Sequence, residues 1–256
     1  MNNVTVYLEV YNEEKRLENC LKDFMWADEI VVFVKRSTDN TFEIAKKFTP
    51  YVFEVPHCEG SENICDNINM HLGKKWFLFC TASSKMDEEL VPFIINLTSD
   101  ETFDYDVIGL PYLMTVFGIS GNSSPWGSEY KYSLIRKTSL VLSNRIHREI
   151  SWHGKKIYKI DKKLTTGRFK HNTHENPDSF FYRHLRYTKA ESSQYIMIYK
   201  EKAFIFAFYE FIKSIGFVFL KKRSIFFGRD GLVLSFAYIS YFLMRLIFIW
   251  FNQRNK

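Results

Sequence analysis

Apolar positions along the first hundred residues recur in two alternating rhythms. VTVYLEVY at 4–11 is a short β-rich run, and NEEKRLENCLKDF after it sets Leu17, Cys20, Leu21 and Phe24 at helical spacing. EIVVFV at 29–34 reads as a second strand. STDNTFEIAKKF then puts Ser37, Thr38 and Asp39 where a helix is capped, and YVFEV at 51–55 reads as a third strand. Residues 61–75 read as a helix, KWFLFC as a fourth strand, and DEELVPFIINL as the helix that follows the loop after it. Such alternation predicts a parallel sheet with right-handed crossovers, flanked by helices, whose ligand lies at the carboxyl ends of the strands. Asp39, Thr81 and Ser83 are expected together at those ends.

Beyond Asp104 the pattern is less regular. DVIGLPYLMTVFG and YKYSLIRK suggest further strands around the Gly/Ser/Pro loop ISGNSSPWGS at 119–128. From Pro177 onward few helix breakers occur and the aromatic load is heavy. The last apolar piece, Leu232 to Phe251, is interrupted by Arg245. Two regions are therefore expected: an α/β domain over 1–176, and a helical, aromatic-rich, basic extension over 177–256. No internal repeat or low-complexity segment is visible.

Charge changes the picture at the C-terminal end. Lys221, Lys222, Arg223, Arg229, Arg245, Arg254 and Lys256, opposed only by Asp230, carry the whole formal net charge of +6, which leaves residues 1–220 neutral. A basic, aromatic tail behind a neutral body points to an anionic membrane surface and away from nucleic acid, which calls for basic residues along a groove of the folded domain. Leu232–Phe251 has the length of a membrane span. Its central arginine, its hydroxyls, the basic cluster at 221–229 and Trp250 favour a helix lying in the interface, with a helix that caps the domain's own core as the plain alternative. The 18% aromatic content, with Phe 25 and Tyr 15, excludes a disordered chain.

Cys20, Cys58, Cys65 and Cys80 show no CxxC spacing, and the sequence opens directly on a strand. A cytoplasmic location, peripheral on the inner face of the cell membrane, is the expectation. His57, Cys58, Cys65 and His71 match no common zinc spacing. The sequons at Asn3, Asn96 and Asn122 carry no weight without secretion.

VTVYLEVYNEEKRLENCL, WADEIVVFVKRSTDNTFEIAKKF, GKKWFLFCTASSKMDEEL, IHREISWHGK, FKHNTHENPDSFFYRHLRY and FFGRDGLVLSFAYISYFLMRL follow one another in an order and spacing that covers nearly the whole chain. In this the chain resembles family 2 glycosyltransferases of the GT-A (Rossmann-like) fold, and more narrowly the small lipopolysaccharide-core type. The resemblance implies a nucleotide-sugar donor and a glycan or lipid-linked acceptor of cell-surface (lipopolysaccharide or capsule type) biosynthesis. It also implies a carboxylate base, and a divalent metal on an Asp-x-Asp loop. Val10, Tyr11, Asn12, Glu13, Lys35, Arg36, Asp39, Thr81 and Ser83 fall on its donor-binding positions. His147 and Glu149 fall on its catalytic region.

At three of the family's acidic positions this sequence departs from the pattern. Val34 stands where the base-binding aspartate falls, although Lys35 and Arg36 beside it could face phosphates. Thr81-Ala82-Ser83 replaces Asp-x-Asp without a gap, and hydroxyls are poor ligands for a hard cation, so no metal is expected. Arg148 follows His147 where the family has glutamate, and Glu149 comes one residue later, on the opposite face of a strand unless a bulge returns it. His147 itself is a candidate base. His171 and His174 lie where the family has one histidine, which near phosphates could replace part of a missing cation's charge. Asp39 is equally a helix cap. Two readings stand: a metal-independent glycosyltransferase, or a catalytically silent GT-A protein that binds a glycan, a lipid-linked intermediate or a partner glycosyltransferase at the membrane. A homodimer is a further partner expectation.

Overall fold

A computed structural model describes residues 2–57, 67–121, 124–141 and 151–254. His147, Arg148, Glu149, Cys58, Cys65 and Asn122 lie outside them. The chain divides into two compact units, Met1–Leu113 with Glu129–His171, and Met114–Ser128 with Asn172–Lys256.

The first unit is built on four parallel strands: β1 (Val4–Val10), β2 (Glu29–Val34), β3 (Val52–Glu54) and β4 (Trp76–Cys80). Tyr7, Val31, Phe33, Phe77 and Phe79 from three of them share one buried cluster with Val55, Ile68, Val107 and Ile135. Their neighbours Val6, Leu8, Val32 and Leu78 are equally buried, and side chains alternate across a strand, so both faces of the sheet are covered. That is why these strands are near-continuous apolar runs. Each large side chain so buried contributes about 1.5–3 kcal/mol.

Helices α1 (Leu17–Asp23), α2 (Thr41–Lys46) and α3 (Val91–Ser99) supply the cover through Leu17, Cys20 and Leu21, through Thr41 and Ala45, and through Ile94 and Thr98. Short β5 (Ser84–Met86) follows β4, and β6 (Val107–Val116), β7 (Ile119–Ser120), β8 (Tyr130–Arg136), β9 (Leu140–Val141), β10 (Ser151–Trp152), β11 (Ile157–Lys159) and β12 (Phe169–His174) complete the strands. The main sheet has the order β3-β2-β1-β4-β8-β6-β12-β5, and β8 runs antiparallel to both β4 and β6.

Of the helix expected over 61–75, residues 61–66 lie outside the described residues. Asn67 is helical, a 3-10 turn at Ile68–Met70 follows it, and 71–75 are irregular chain, so the helix stops short. The physical reason is close packing against β1. The Tyr7 hydroxyl donates to the carbonyl of His71 (2.8 Å) and accepts from Gly73 N (2.9 Å), and a Cβ on Gly73 would stand 2.2 Å from Thr5 Oγ1. His71 pairs with Glu29 (3.1 Å), and His57 stacks on Tyr11. The first helix also starts later than its polar lead-in suggests, at Leu17, because residues 12–16 form a loop tied to the one after β2.

The second unit is helical: α4 (Pro177–Tyr199), α5 (Ala203–Gly216), continued by a wider turn Phe217–Lys221, and α6 (Gly228–Arg254). Asn176 caps α4 in a capping box with Ser179. Residues 114–128 join this unit, where Trp126 packs edge-on against Phe180 and Tyr238. His174 lies buried in the same aromatic group, 4.9 Å from the rings of Phe180 and His184. Arg245, the charge in the middle of the apolar tail, is 8% exposed. It pairs with Glu191 and Glu210 and stacks on Tyr195.

Candidate functional site

Strands β1, β2 and β3 proceed one way across the sheet and β4 returns to the other side of β1. The strand order therefore reverses between β1 and β4, and the crevice outside their carboxyl ends is where an open α/β sheet takes its ligand. Tyr11–Glu13 leave β1 there, and Thr81–Ser83 leave β4.

A belt of hydrogen bonds fixes the β1 exit to the β2 exit. Asn12 N donates to Ser37 Oγ (3.0 Å) and Thr38 N to Asn12 Oδ1 (2.8 Å), while Glu13 N donates to Thr41 Oγ1 (2.8 Å). Asn12 and Arg36 both hold positive φ, at 53° and 42°, which asparagine tolerates and which an arginine adopts only when its surroundings impose it. Asp39 completes the belt. Its carboxylate accepts from Glu14 N (3.1 Å), Thr41 N (3.0 Å) and the Thr41 hydroxyl. The residue flanking α2 is Asn40, whose side chain makes no cap bond, so Asp39 acts one position earlier than a conventional cap.

Burial works against the Asp39 charge, but these donors outweigh it and hold the carboxyl below the usual aspartate range. Asp39→Asn, which keeps one acceptor and removes the charge, is expected to cost about 1–2 kcal/mol in urea unfolding at neutral pH. Because the folded pKa is the lower one, that contribution is full above the unfolded value near about 4 and disappears as pH falls through the folded value. The gap between wild type and Asp39→Asn should therefore close in acid.

Several of the expected ligand-binding charges are spent inside the protein. Lys35 is only 9% exposed, and its ammonium pairs with Glu9 at 3.0 Å. Glu13 takes a forked pair from Arg16, with Nε to Oε2 at 2.8 Å and Nη2 to Oε1 at 2.7 Å. Val10 and Val34 are 2% and 1% exposed within the paired strands. What remains turned outward is Arg36, which is exposed, and Tyr11, whose ring lies 4.2 Å from that of His57.

At the β4 exit the two hydroxyls stand together, with Thr81 Oγ1 3.0 Å from Ser83 Oγ and 3.3 Å from Ser84 Oγ. His171 meets them from β12. Antiparallel pairing of β12 with β5 sets it opposite Ser84, its Nε2 lies 3.3 Å from Thr81 Oγ1, and its Nδ1 lies 3.2 Å from the Tyr112 hydroxyl. The imidazole is thereby held at both nitrogens over the loop. Cys20 Sγ donates to the Thr81 carbonyl (3.3 Å) from below, and burial pushes the thiols of both Cys20 and Cys80 far up, so neither is a nucleophile. Lys131 of β8 lies near enough to Cys80 to oppose part of that rise.

Neutral hydroxyls and one imidazole do not suit a divalent cation, which binds through charged oxygens. Among the described residues no three His, Cys, Asp or Glu side chains gather into a metal-binding group. The pairing of His171 with Thr81 joins residues 90 apart in sequence. The resemblance places His171 or His174 near the phosphates, and the pairing of β12 with β5 selects His171.

No family model matches the sequence, and no curated protein sequence matches it. Solved structures do. Residues 1–349 of S. aureus TarS in complex with UDP-GlcNAc align with a TM-score of 0.50 at 12% identity, covering 95% of this chain and 81% of that one. The longer S. aureus TarS structure gives 0.46 at 13% identity over 76% of this chain, which spans 40% of its length. Glucosyl-3-phosphoglycerate synthase from Mycobacterium tuberculosis, with Mn2+, UDP and glucosyl-3-phosphoglycerate, gives 0.37 at 16% identity over 53% and 57% of the two chains. At such identities the likeness is one of architecture: the chain has a GT-A glycosyltransferase fold with a C-terminal helical extension.

Proposed function

We propose that the protein takes a nucleotide sugar in the crevice between the β1 and β4 exits and transfers the sugar to a cell-surface glycan or its lipid-linked precursor, without a loop-bound metal. The hydroxyl–imidazole cluster of Thr81, Ser83 and His171 carries this reading. It lies at the switch point of the sheet and offers hydrogen-bond donors to a diphosphate where charged metal ligands would otherwise stand. Arg36, in the loop after β2, and Lys131, on β8, are cations that could offset diphosphate charge. UDP-GlcNAc is the first probe because the TarS structure contains it. The acceptor base belongs to the segment of His147 and Glu149. The setting is an anionic membrane surface on the cytoplasmic side.

A second reading, a silent GT-A protein, draws on the internal use of Lys35, Glu13 and Asp39. Calorimetry with UDP-GlcNAc and UDP-glucose, with manganese and with EDTA, tests the site. Binding that is indifferent to manganese and falls at least about tenfold in His171→Ala is expected, since a charge-assisted hydrogen bond is worth about 1.5–3 kcal/mol. Slow release of UDP from a bound donor then separates enzyme from silent binder. No binding of either donor by the wild type defeats the first reading and leaves the silent protein.

A further inference from the structure

Helix α6 carries apolar residues on both of its sides, one packed and one exposed. Counting about 100° per residue, Leu232, Phe236, Leu243, Ile247 and Trp250 fall within about 60° of one another. All five are exposed, Phe236 by 65% and Ile247 by 53%. Arg229 and Arg254, also exposed, fall on that same arc at its two ends. The packed side carries Leu234, Ala237, Leu246 and Ile249 with buried polar groups among them. Arg245 there pairs with Glu191 of α4 and Glu210 of α5, and the Tyr241 hydroxyl donates to Glu191. Ser235 and Ser224 are hydrogen-bonded to each other (2.9 Å) with nothing exposed.

A soluble helix buries its apolar stripe and wets its charges. This one buries Leu234, Ala237, Leu246 and Ile249 and leaves a second apolar stripe exposed as well. An uncharged apolar stripe bounded by two arginines has the complement of an anionic leaflet, acyl chains between rows of headgroup phosphates. We infer that this stripe of α6 is the membrane-contacting surface of the protein and lies flat in the interface, with Arg229 and Arg254 on lipid phosphates and Trp250 at headgroup depth. Length and composition alone would let both Pro177–Lys221 and Ser224–Arg254 cross a membrane. Packing speaks against a crossing. Helix α4 lies along α6 through Glu191, and through Ser192, which accepts from Asn252 Nδ2 at 3.2 Å. A spanning α6 would carry Arg183, Arg186 and Lys189 of α4 into hydrocarbon with it, which is costly for every charge moved. The arginines can reach phosphates from a flat helix because their stems cover apolar surface while the heads remain wet.

This deepens the membrane part of the reading above and is independent of its donor site, so the test contains no nucleotide. The full chain is floated with vesicles of phosphatidylcholine alone, and of phosphatidylcholine with phosphatidylglycerol. Phe236→Glu with Ile247→Glu should weaken partition to both at least about tenfold. Arg229→Gln with Arg254→Gln should weaken only the anionic case, as should added salt. Leu164→Glu, an exposed leucine in the first unit, should change nothing. Brominated lipid should quench wild-type fluorescence more than that of Trp250→Phe, a reading that needs no charged variant to fold. Unchanged binding in the glutamate pair overturns the inference. So does a dimer that the glutamate pair dissociates while the wild type ignores vesicles, which would make the stripe an interface between copies. Wild-type protein that resists alkaline carbonate would show a span instead.

Discussion

Arg245→Ala is expected to destabilise the helical unit by about 3–5 kcal/mol, read as a fall in the thermal or urea midpoint followed by circular dichroism. Arg245 is 8% exposed, and its removal takes away the guanidinium that pairs with both Glu191 and Glu210. It also strips a cation from the faces of Tyr195 and Phe242, 4.8 and 5.1 Å away. Arg245→Lys should recover only part of the loss, because an ammonium lacks the planar fork that reaches two carboxylates and stacks on rings. Glu191→Gln and Glu210→Gln combined with Arg245→Met should return most of the stability, since a whole buried ion group replaced by neutral side chains is close to balanced. If Arg245→Ala unfolds like wild type, the three helices are held by their apolar contacts alone.

Thr81→Asp with Ser83→Asp is expected to create a manganese site at least about tenfold tighter than anything the native chain offers, measured by calorimetry without nucleotide. Two carboxylates would replace hydroxyls 3.0 Å apart, with His171 Nε2 already 3.3 Å from the Thr81 hydroxyl as a third ligand. Manganese should then enhance UDP-GlcNAc binding, whereas no enhancement is expected in the native protein. Val34 is better left alone. At 1% exposure between paired strands, an aspartate there would be buried without a partner. Equal manganese affinity in the native chain and the double variant would show that the metal position lies elsewhere.

What the sequence announced and what it concealed divide along one physical line. β1, β2 and β4 are buried on both faces, so their apolar runs stand out and their ends are nearly right. The absence of acids at 81 and 83 is equally plain, because it needs only identity and spacing. The stretch 71–75 misled because hydrogen bonds of its backbone to Tyr7 and Thr5 hold it in an irregular course, with Leu72 exposed. Lys35 looked like a phosphate ligand because nothing local reveals that Glu9, in a neighbouring strand, captures it. His171 over Thr81 depends on β12 finding β5, a tertiary event. Arg245 read as an interruption of the tail, whereas three helices together make it the centre of one.

That β12–β5 pairing also orders events in time. Four strands of the first unit are complete by Cys80 and assemble through crossovers of ordinary length, but the imidazole reaches its hydroxyls only after the chain has passed through the second unit at 114–128 and come back. Closing so long a loop costs entropy that no local contact recovers early, and long-range pairings form slowly. The sheet should thus be present in a folding intermediate whose crevice is unfinished. A chain still emerging from the ribosome would carry the scaffold of the site well before it carried the site.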